Sequence, residues 1–168
     1  MSFSSGRQLG EQEAIHYAWR KGCVLVAAAG NNGGEVDYPA AYEGVLGVEG
    51  TDQNDHLCQW SSHGSHAQIS APAMDVLVAE PHQRYTHSDG TSAATALVAG
   101  AAALLLAFNP KLTNKEVVGR LVSSAIPIEA GAGRLDLAKA LGEIGSRPLI
   151  PNREVTHSLW TRFLDRWF

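Results

Sequence analysis

The spacing of apolar residues divides most of the chain into alternating helices and strands. From Gly10 to Trp19, apolar residues recur three to four positions apart (Ile15, Ala18, Trp19), which predicts a helix. An unbroken apolar run, Cys23–Ala29, follows and predicts a strand that is buried on both faces of a parallel sheet, with Cys23 inside it. A helix next to such a strand indicates an α/β fold.

The same pattern continues toward the carboxyl end. Short strands are predicted at 45–49, within 60–71 and at 75–79, and a polar loop at 81–89. A long helix over 91–108 ends at Asn109-Pro110, because proline disfavours helix in the residue before it. Thr113 and Glu116 form a capping box for a second helix, and a last helix runs through Leu141.

One stretch, Ser88–Gly100, combines a polar turn with the start of the long helix. It delivers Ser92 to the first helical turn, where free amides and the helix dipole favour negative charge near the hydroxyl. On this stretch alone, Ser92 is equally well interpreted as an N-cap or as a nucleophile. Asn31 ends the first buried strand, and its Asn-Asn-Gly-Gly context favours a turn residue over a hydrogen-bond donor to a ligand.

Composition and charge argue against several classes of function and location. A net charge of −4 gives no electrostatic case for nucleic acid, and two cysteines make no disulfide framework. Met1–Gly6 has neither a basic nor an apolar signal region, and Ala93–Phe108 is too short and alanine-rich for a predicted membrane span.

Several ordered motifs carry a family resemblance. Gly90-Thr91-Ser92, with Ala94-Thr95 and Val98-Ala99-Gly100, resembles the nucleophile signature of the subtilisin-like serine peptidases. Ala27–Asn31 resembles the family segment whose asparagine donates to the oxyanion. Further similar segments lie between the two: Tyr38-Pro39-Ala40, where the family has a cis peptide bond, Val45–Val48, Trp60–Gly64 and Ile69–Pro72.

The resemblance implies a three-layer, parallel-sheet α/β fold and a serine endopeptidase site. Ser92 would be the nucleophile and Asn31 the oxyanion donor. The edge strand Ser2, Phe3 and Ser4 would bind substrate backbone, and Ala28, Ala29 and Gly30 would line the pocket for a substrate side chain. The family implies an extracellular or cell-envelope location.

The family's Asp and His motifs have no counterpart in the sequence. The chain therefore resembles a fold truncated at its N-terminal half, with residues 1–144 as the C-terminal portion of the peptidase domain. It would be a fragment, one subunit of a split peptidase whose partner supplies Asp and His, or an inactive peptide- or protein-binding module. The family usually has Pro and often His at the positions of Ala96 and Leu97, and this difference weakly favours the inactive module.

Other candidate sites are weaker. His87 is close to Ser92 in sequence but lacks a predicted orienting group, and His63 and His66 indicate no metal site. No cofactor is expected; the family's calcium sites vary, and no acidic cluster assigns one. Ser92, Asp136 and His157 occur in α/β-hydrolase order, but the residues before Ser92 are too polar for a strand entering a nucleophile elbow.

The end of the chain departs from the family pattern. Residues 145–152 form a predicted linker, and 153–168 a predicted amphipathic helix with a heavy aromatic face. Covering a groove on its own domain is the preferred interpretation of this tail. Docking on a partner chain or a second copy comes next, and lying on a membrane surface comes last.

Overall fold

A computed structural model describes residues 1–142, so the predicted linker and tail helix lie outside the described residues. The elements occur in the order α1 (Leu9–Arg20), β1 (Leu25–Ala28), β2 (Val45–Thr51), β3 (Ala67–Pro72), β4 (Val76–Glu80), β5 (Arg84–Ser88), α2 (Thr91–Phe108), α3 (Asn114–Ser124) and α4 (Leu137–Gly142).

Three parallel strands form the central sheet in the order β1-β2-β3. All seven residues of β2 are buried, as expected for the middle strand of a parallel sheet covered on both faces. Successive side chains alternate between the faces, so Val26 packs toward α2, α3 and α4 while Ala27 packs toward α1. The described domain is therefore a three-layer α/β arrangement, as predicted.

Helix α2 is the apolar centre of one layer. Its buried residues Ala94, Val98 and Leu105 share one core cluster with Val48 of β2 and Ile69 of β3. Its 18 residues have a mean hydropathy of 1.9. By length and composition the helix could therefore cross a membrane, contrary to the expectation that this segment is too short and alanine-rich. Its packing against the sheet makes it a core helix of the described domain.

The capping box of α3 forms as predicted. The Glu116 amide donates to the Thr113 hydroxyl at 3.2 Å, and the Thr113 amide donates to the Glu116 carboxylate at 2.8 Å. On α3, Val117 and Leu121 are fully buried, whereas Val122 is 38% exposed.

Two local predictions are wrong. The segment predicted as a polar loop at 81–89 contains β5, which pairs antiparallel with β4 in a separate hairpin. Cys23 is exposed, because it lies in the turn between α1 and β1. Its amide donates to Ala18 O at 3.1 Å, and β1 begins only at Leu25. Cys58 is the buried cysteine.

Candidate active site

Ser92 lies in the first turn of α2. Gly90 occupies the N-cap position with φ 146°, and its amide donates to Ala73 O at 2.8 Å. The interpretation of Ser92 as an N-cap is therefore wrong, because Ser92 is the second residue of the helix and Gly90 is the N-cap. Its side chain is half-buried beside the first amides of the helix, of which Thr91 N donates to Asn31 Oδ1 and Ala93 N to Gly90 O.

The hydroxyl of Ser92 contacts the first residues of the chain. Ser92 Oγ donates to Ser2 O at 3.3 Å, and Ser2 Oγ donates to Ser92 O at 3.1 Å. Met1 pairs with β1, because its amine donates to Val26 O at 2.6 Å and its carbonyl accepts from Ala28 N at 3.1 Å. The stretch Ser2–Ser4 is exposed beside the site, although it is not a regular strand in the structure.

Asn31 lies where β1 ends, facing the start of α2. Its Oδ1 accepts two hydrogen bonds from Thr91, from the backbone amide and from the hydroxyl, both at 2.9 Å. These bonds fix the orientation of the side-chain amide, so Nδ2 is the end free to donate elsewhere. Nδ2 lies close to Gly90, where an added Cβ would come within 3.4 Å of it.

The adjacent asparagine, Asn32, stabilises the turn that follows β1. Asn32 Oδ1 accepts from Gly34 N at 2.8 Å and from Ser62 Oγ at 2.9 Å. The local composition does not distinguish Asn31 from Asn32, but in the described structure it is the Asn32 side chain that stabilises the loop. Asn31 instead connects the carboxyl edge of the sheet to the helix that carries Ser92.

Thr91 is a site residue that sequence reasoning missed. It is fully buried, and besides the contacts to Asn31 its hydroxyl accepts from Gly30 N at 3.3 Å. It therefore orients the Asn31 amide and tethers β1 to α2. The signal was present, since Thr91 stands inside the quoted Gly-Thr-Ser motif, but nothing local indicates contacts to residues 60 positions away.

The predicted wall residues lie deep in the domain. Ala28 is 3% exposed and Ala29 is 0% exposed, and both lead directly into the loop that carries Asn31. Gly30 has φ 116°, and a Cβ there would collide with Asp37 and Ser62. Glycine is therefore required at this position by its backbone and by its close neighbours.

Among the described residues, His87 is the histidine nearest to Ser92 in sequence. His87 is paired with Asp75 through Nδ1 and Oδ1 at 2.6 Å, so it has the orienting carboxylate that the sequence did not reveal. Within residues 1–142, however, no histidine nitrogen hydrogen-bonds to Ser92 Oγ. His87 pairs with Leu77 across the hairpin, where both side chains are largely exposed.

The alternative α/β-hydrolase interpretation does not fit the fold. Ser92 follows a separate antiparallel hairpin, and no strand of the parallel sheet runs directly into it. Asp136 Oδ1 accepts from Lys139 N at 2.8 Å, so this residue caps α4. His157 lies outside the described residues. In the described part of the chain, no group of three or more His, Cys, Asp or Glu residues could hold a metal ion.

Comparison with known proteins decides the family. The family model described as "Subtilase family" matches residues 1–155. The chain belongs to the subtilase family.

Individual relatives agree with this assignment. Over 109 residues the subtilase chain is 43% identical to thermitase of Thermoactinomyces vulgaris, which covers 62% of this chain and 39% of thermitase. It is 40% identical over 126 residues to a halolysin-like extracellular serine protease, Nep, of Natrialba magadii, covering 71% of this chain and 23% of that protein.

A solved structure of proteases from Pseudoalteromonas arctica has the same fold. It is similar to this subtilase with a TM-score of 0.80 at 29% identity, over 85% of this chain and 50% of the other. The subtilase chain thus spans about a quarter to two-fifths of the length of the curated relatives above and half of this structure.

Proposed function

We propose that this chain supplies the nucleophile and the oxyanion site of a serine endopeptidase, and that the base and its orienting acid come from an upstream segment or a partner chain. The observation that carries the proposal is the contact between Asn31 and Thr91 beside Ser92 at the start of α2. It places the Asn31 side-chain amide, with Oδ1 bound to Thr91, beside the residue that carries the Ser92 hydroxyl at a helix N-terminus.

In the completed site, Ser92 Oγ attacks the carbonyl carbon of the scissile bond while a histidine takes its proton. Charge develops on the carbonyl oxygen, where Asn31 Nδ2 and the Ser92 amide donate to it. The amine product leaves with the proton from the histidine, and water then releases the acyl group from Ser92 by the reverse sequence.

Substrate would be held by elements on either side of Ser92. The exposed Ser2–Ser4 stretch would pair with peptide backbone, in the mode of an added strand. Ala28, Ala29 and Gly30 would limit the depth of the side-chain pocket. The substrate class is peptides or proteins, and by likeness to the extracellular protease of Natrialba magadii the activity would be extracellular.

The second candidate function is a non-catalytic peptide-binding module. The observation in its favour is that Ser92 Oγ has a backbone carbonyl as its partner and no imidazole in residues 1–142. In that case Ser2–Ser4 and the Asn31 loop would bind peptide without cleaving it.

Labelling with a fluorophosphonate probe separates the two functions. We expect little labelling of the chain alone, and strong labelling of Ser92 after addition of a polypeptide that carries the family's Asp and His segments. Ser92→Ala should abolish the labelling, whereas Ser123→Ala, at an exposed serine of α3, should leave it unchanged. If the completed mixture binds peptide but never labels at Ser92, the module is non-catalytic.

A further inference from the structure

An aspartate lies against the wall predicted for the substrate side-chain pocket. Gly30 ends that wall, and the Asp37 carboxylate and Ser62 Oγ occupy the space in which a side chain at position 30 would lie. Asp37 is half-buried, so its carboxylate is partly withdrawn from water and still accessible. The pocket residues identified from the sequence carry no charge, so Asp37 adds the charged group to this pocket.

Backbone hydrogen bonds hold Asp37 between the two segments that flank the pocket. Asp37 N donates to Ala29 O at 2.8 Å, which fixes the residue beside the end of β1. The next residue, Tyr38, accepts from Ser5 N at 2.7 Å. The exposed stretch Ser2–Ser4 therefore begins at the candidate nucleophile and ends beside Asp37. A peptide side chain that enters between this stretch and the end of β1 points toward the aspartate.

The Asp37 carboxylate has no partner among residues 1–142. It takes part in none of the ion pairs of this part of the chain and accepts no hydrogen bond there. The neighbouring hydroxyl of Ser62 donates instead to Asn32 Oδ1 at 2.9 Å. A half-buried carboxylate without a partner is unfavourable, and a cationic ligand group supplies the charge-assisted hydrogen bond that it lacks.

We propose that Asp37 makes the site select a peptide residue with a cationic side chain, lysine or arginine, immediately before the cleaved bond. The ammonium or guanidinium group binds the Asp37 carboxylate, and the aliphatic stem of the side chain packs along the small wall residues Ala28 and Gly30. This inference rests on the proposed function and deepens it, because it names the substrate class of the same site.

Equilibrium binding of matched peptides to the Ser92→Ala chain tests the proposal without requiring catalysis. The probes are fluorescein-labelled Gly-Ala-Ala-Arg and the same peptide ending in citrulline, which has the shape of arginine without its charge. Fluorescence anisotropy should show that the arginine peptide binds about 10–10² times more tightly, the factor expected for a hydrogen bond between charged groups. The preference should shrink as the salt concentration rises.

Two variants that remove one carboxylate each identify the group that selects. Asp37→Asn has nearly the same size and should bind the two peptides equally. Glu43→Gln removes an exposed carboxylate just before β2, at the opposite end of the parallel sheet, and should keep the preference. The buried thiol of Cys58 must stay unreactive in each variant, which shows that the domain is folded; otherwise Asp37→Ser replaces Asp37→Asn.

The possible outcomes separate charge selection from cleavage. Equal binding of the two peptides before Asp37 is changed, binding of neither, or a preference that survives the loss of the Asp37 carboxylate would overturn the proposal. Selective binding of the arginine peptide by a chain that never labels at Ser92 in the completed mixture supports Asp37 as the selecting residue and contradicts the proposed catalysis. Labelling at Ser92 without selective binding supports catalysis and contradicts the role of Asp37.

Discussion

At the scale of single residues, the candidate site depends on one buried hydroxyl. Thr91 Oγ1 donates to Asn31 Oδ1 and accepts from Gly30 N, so it satisfies polar groups on two residues of the β1 loop. Because Thr91 is next to Ser92, the residue that orients the Asn31 side chain is joined directly to the residue that carries the candidate nucleophile.

Removing that hydroxyl should loosen the site and destabilise the domain. Thr91→Val keeps the volume but leaves Gly30 N without its partner in a buried position, at a cost of about 1–3 kcal/mol. Thr91→Ser retains the hydroxyl and loses only a methyl group, about 0.8 kcal/mol. Urea unfolding measures both; a Thr91→Val variant as stable as the natural chain would mean that the hydroxyl contributes nothing.

The two cysteines should differ sharply in reactivity. Burial raises the pKa of the Cys58 thiol to about 11, and the carboxylates of Asp52 and Asp89 act in the same direction. At neutral pH we expect one fast-reacting thiol per folded chain, Cys23, with Cys58 slower by a factor of about 10² or more. Cys23→Ser should remove the fast phase in a thiol-reagent assay, and a fast phase that persists in this variant would contradict the structure.

At the scale of elements, a carboxyl group is buried in the central strand. Glu49 of β2 is 1% exposed, and its carboxylate accepts from Ala132 N at 2.6 Å, which joins the strand to the loop before α4. Burial raises the pKa of Glu49, although hydrogen bonds from Ala132 and Gly64 and the nearby His63 oppose the rise. The net effect is that folding favours the protonated form.

Glu49→Gln should therefore change how stability depends on pH. Because the pKa of Glu49 is higher in the folded than in the unfolded chain, its contribution is fully present below the ordinary pKa of 4.5 and is lost as the pH rises through the folded value. We expect Glu49→Gln to be more stable than the natural chain at pH 7, with the difference shrinking toward pH 4. Thermal melts across that range measure it, and a difference that grows on acidification would refute the assignment.

Elements were predictable from sequence where their signals are local. The bounds of α2 and the capping box of α3 depend on residues a few positions apart, and both are as predicted. Strand β5 was missed because Arg84–Ser88 is polar and largely exposed in a two-stranded hairpin, so it shows no apolar alternation. The contacts of Asn31 with Thr91 and of Ser92 with Ser2 join distant segments, and only the fold brings them together.

At the scale of the whole molecule, the chain spans less than half the length of the curated relatives described above, and the described domain exposes a strand edge and an apolar helix face. Within residues 1–142, strand β1 lies at the edge of the sheet, where it pairs with Met1 on the side away from β2, and helix α2 exposes Leu97 and Leu104. A complementing segment with the family's Asp and His motifs would complete the site, and we expect it to stabilise the fold by mass action.

Labelling of Cys58 should report that stabilisation, since this buried thiol reacts only when the domain opens. A complementing segment present at 100 times its dissociation constant contributes about 2.7 kcal/mol, which slows opening-dependent labelling by about 10². A scrambled segment of the same composition is the control. If labelling of Cys58 stays unchanged while Ser92 becomes reactive toward the probe, the segment completes the site without stabilising the fold.

The long sequence separation inside the site also has a consequence for biosynthesis. Asn31 and Thr91 are 60 positions apart, and the Asn31 side chain accepts hydrogen bonds from both the backbone amide and the hydroxyl of Thr91. A ribosome adding about 5–20 residues per second takes about 3–12 s to make the intervening chain. During that interval the Asn31 loop exists without its anchor, so the proposed oxyanion site can form only after Thr91 has been made.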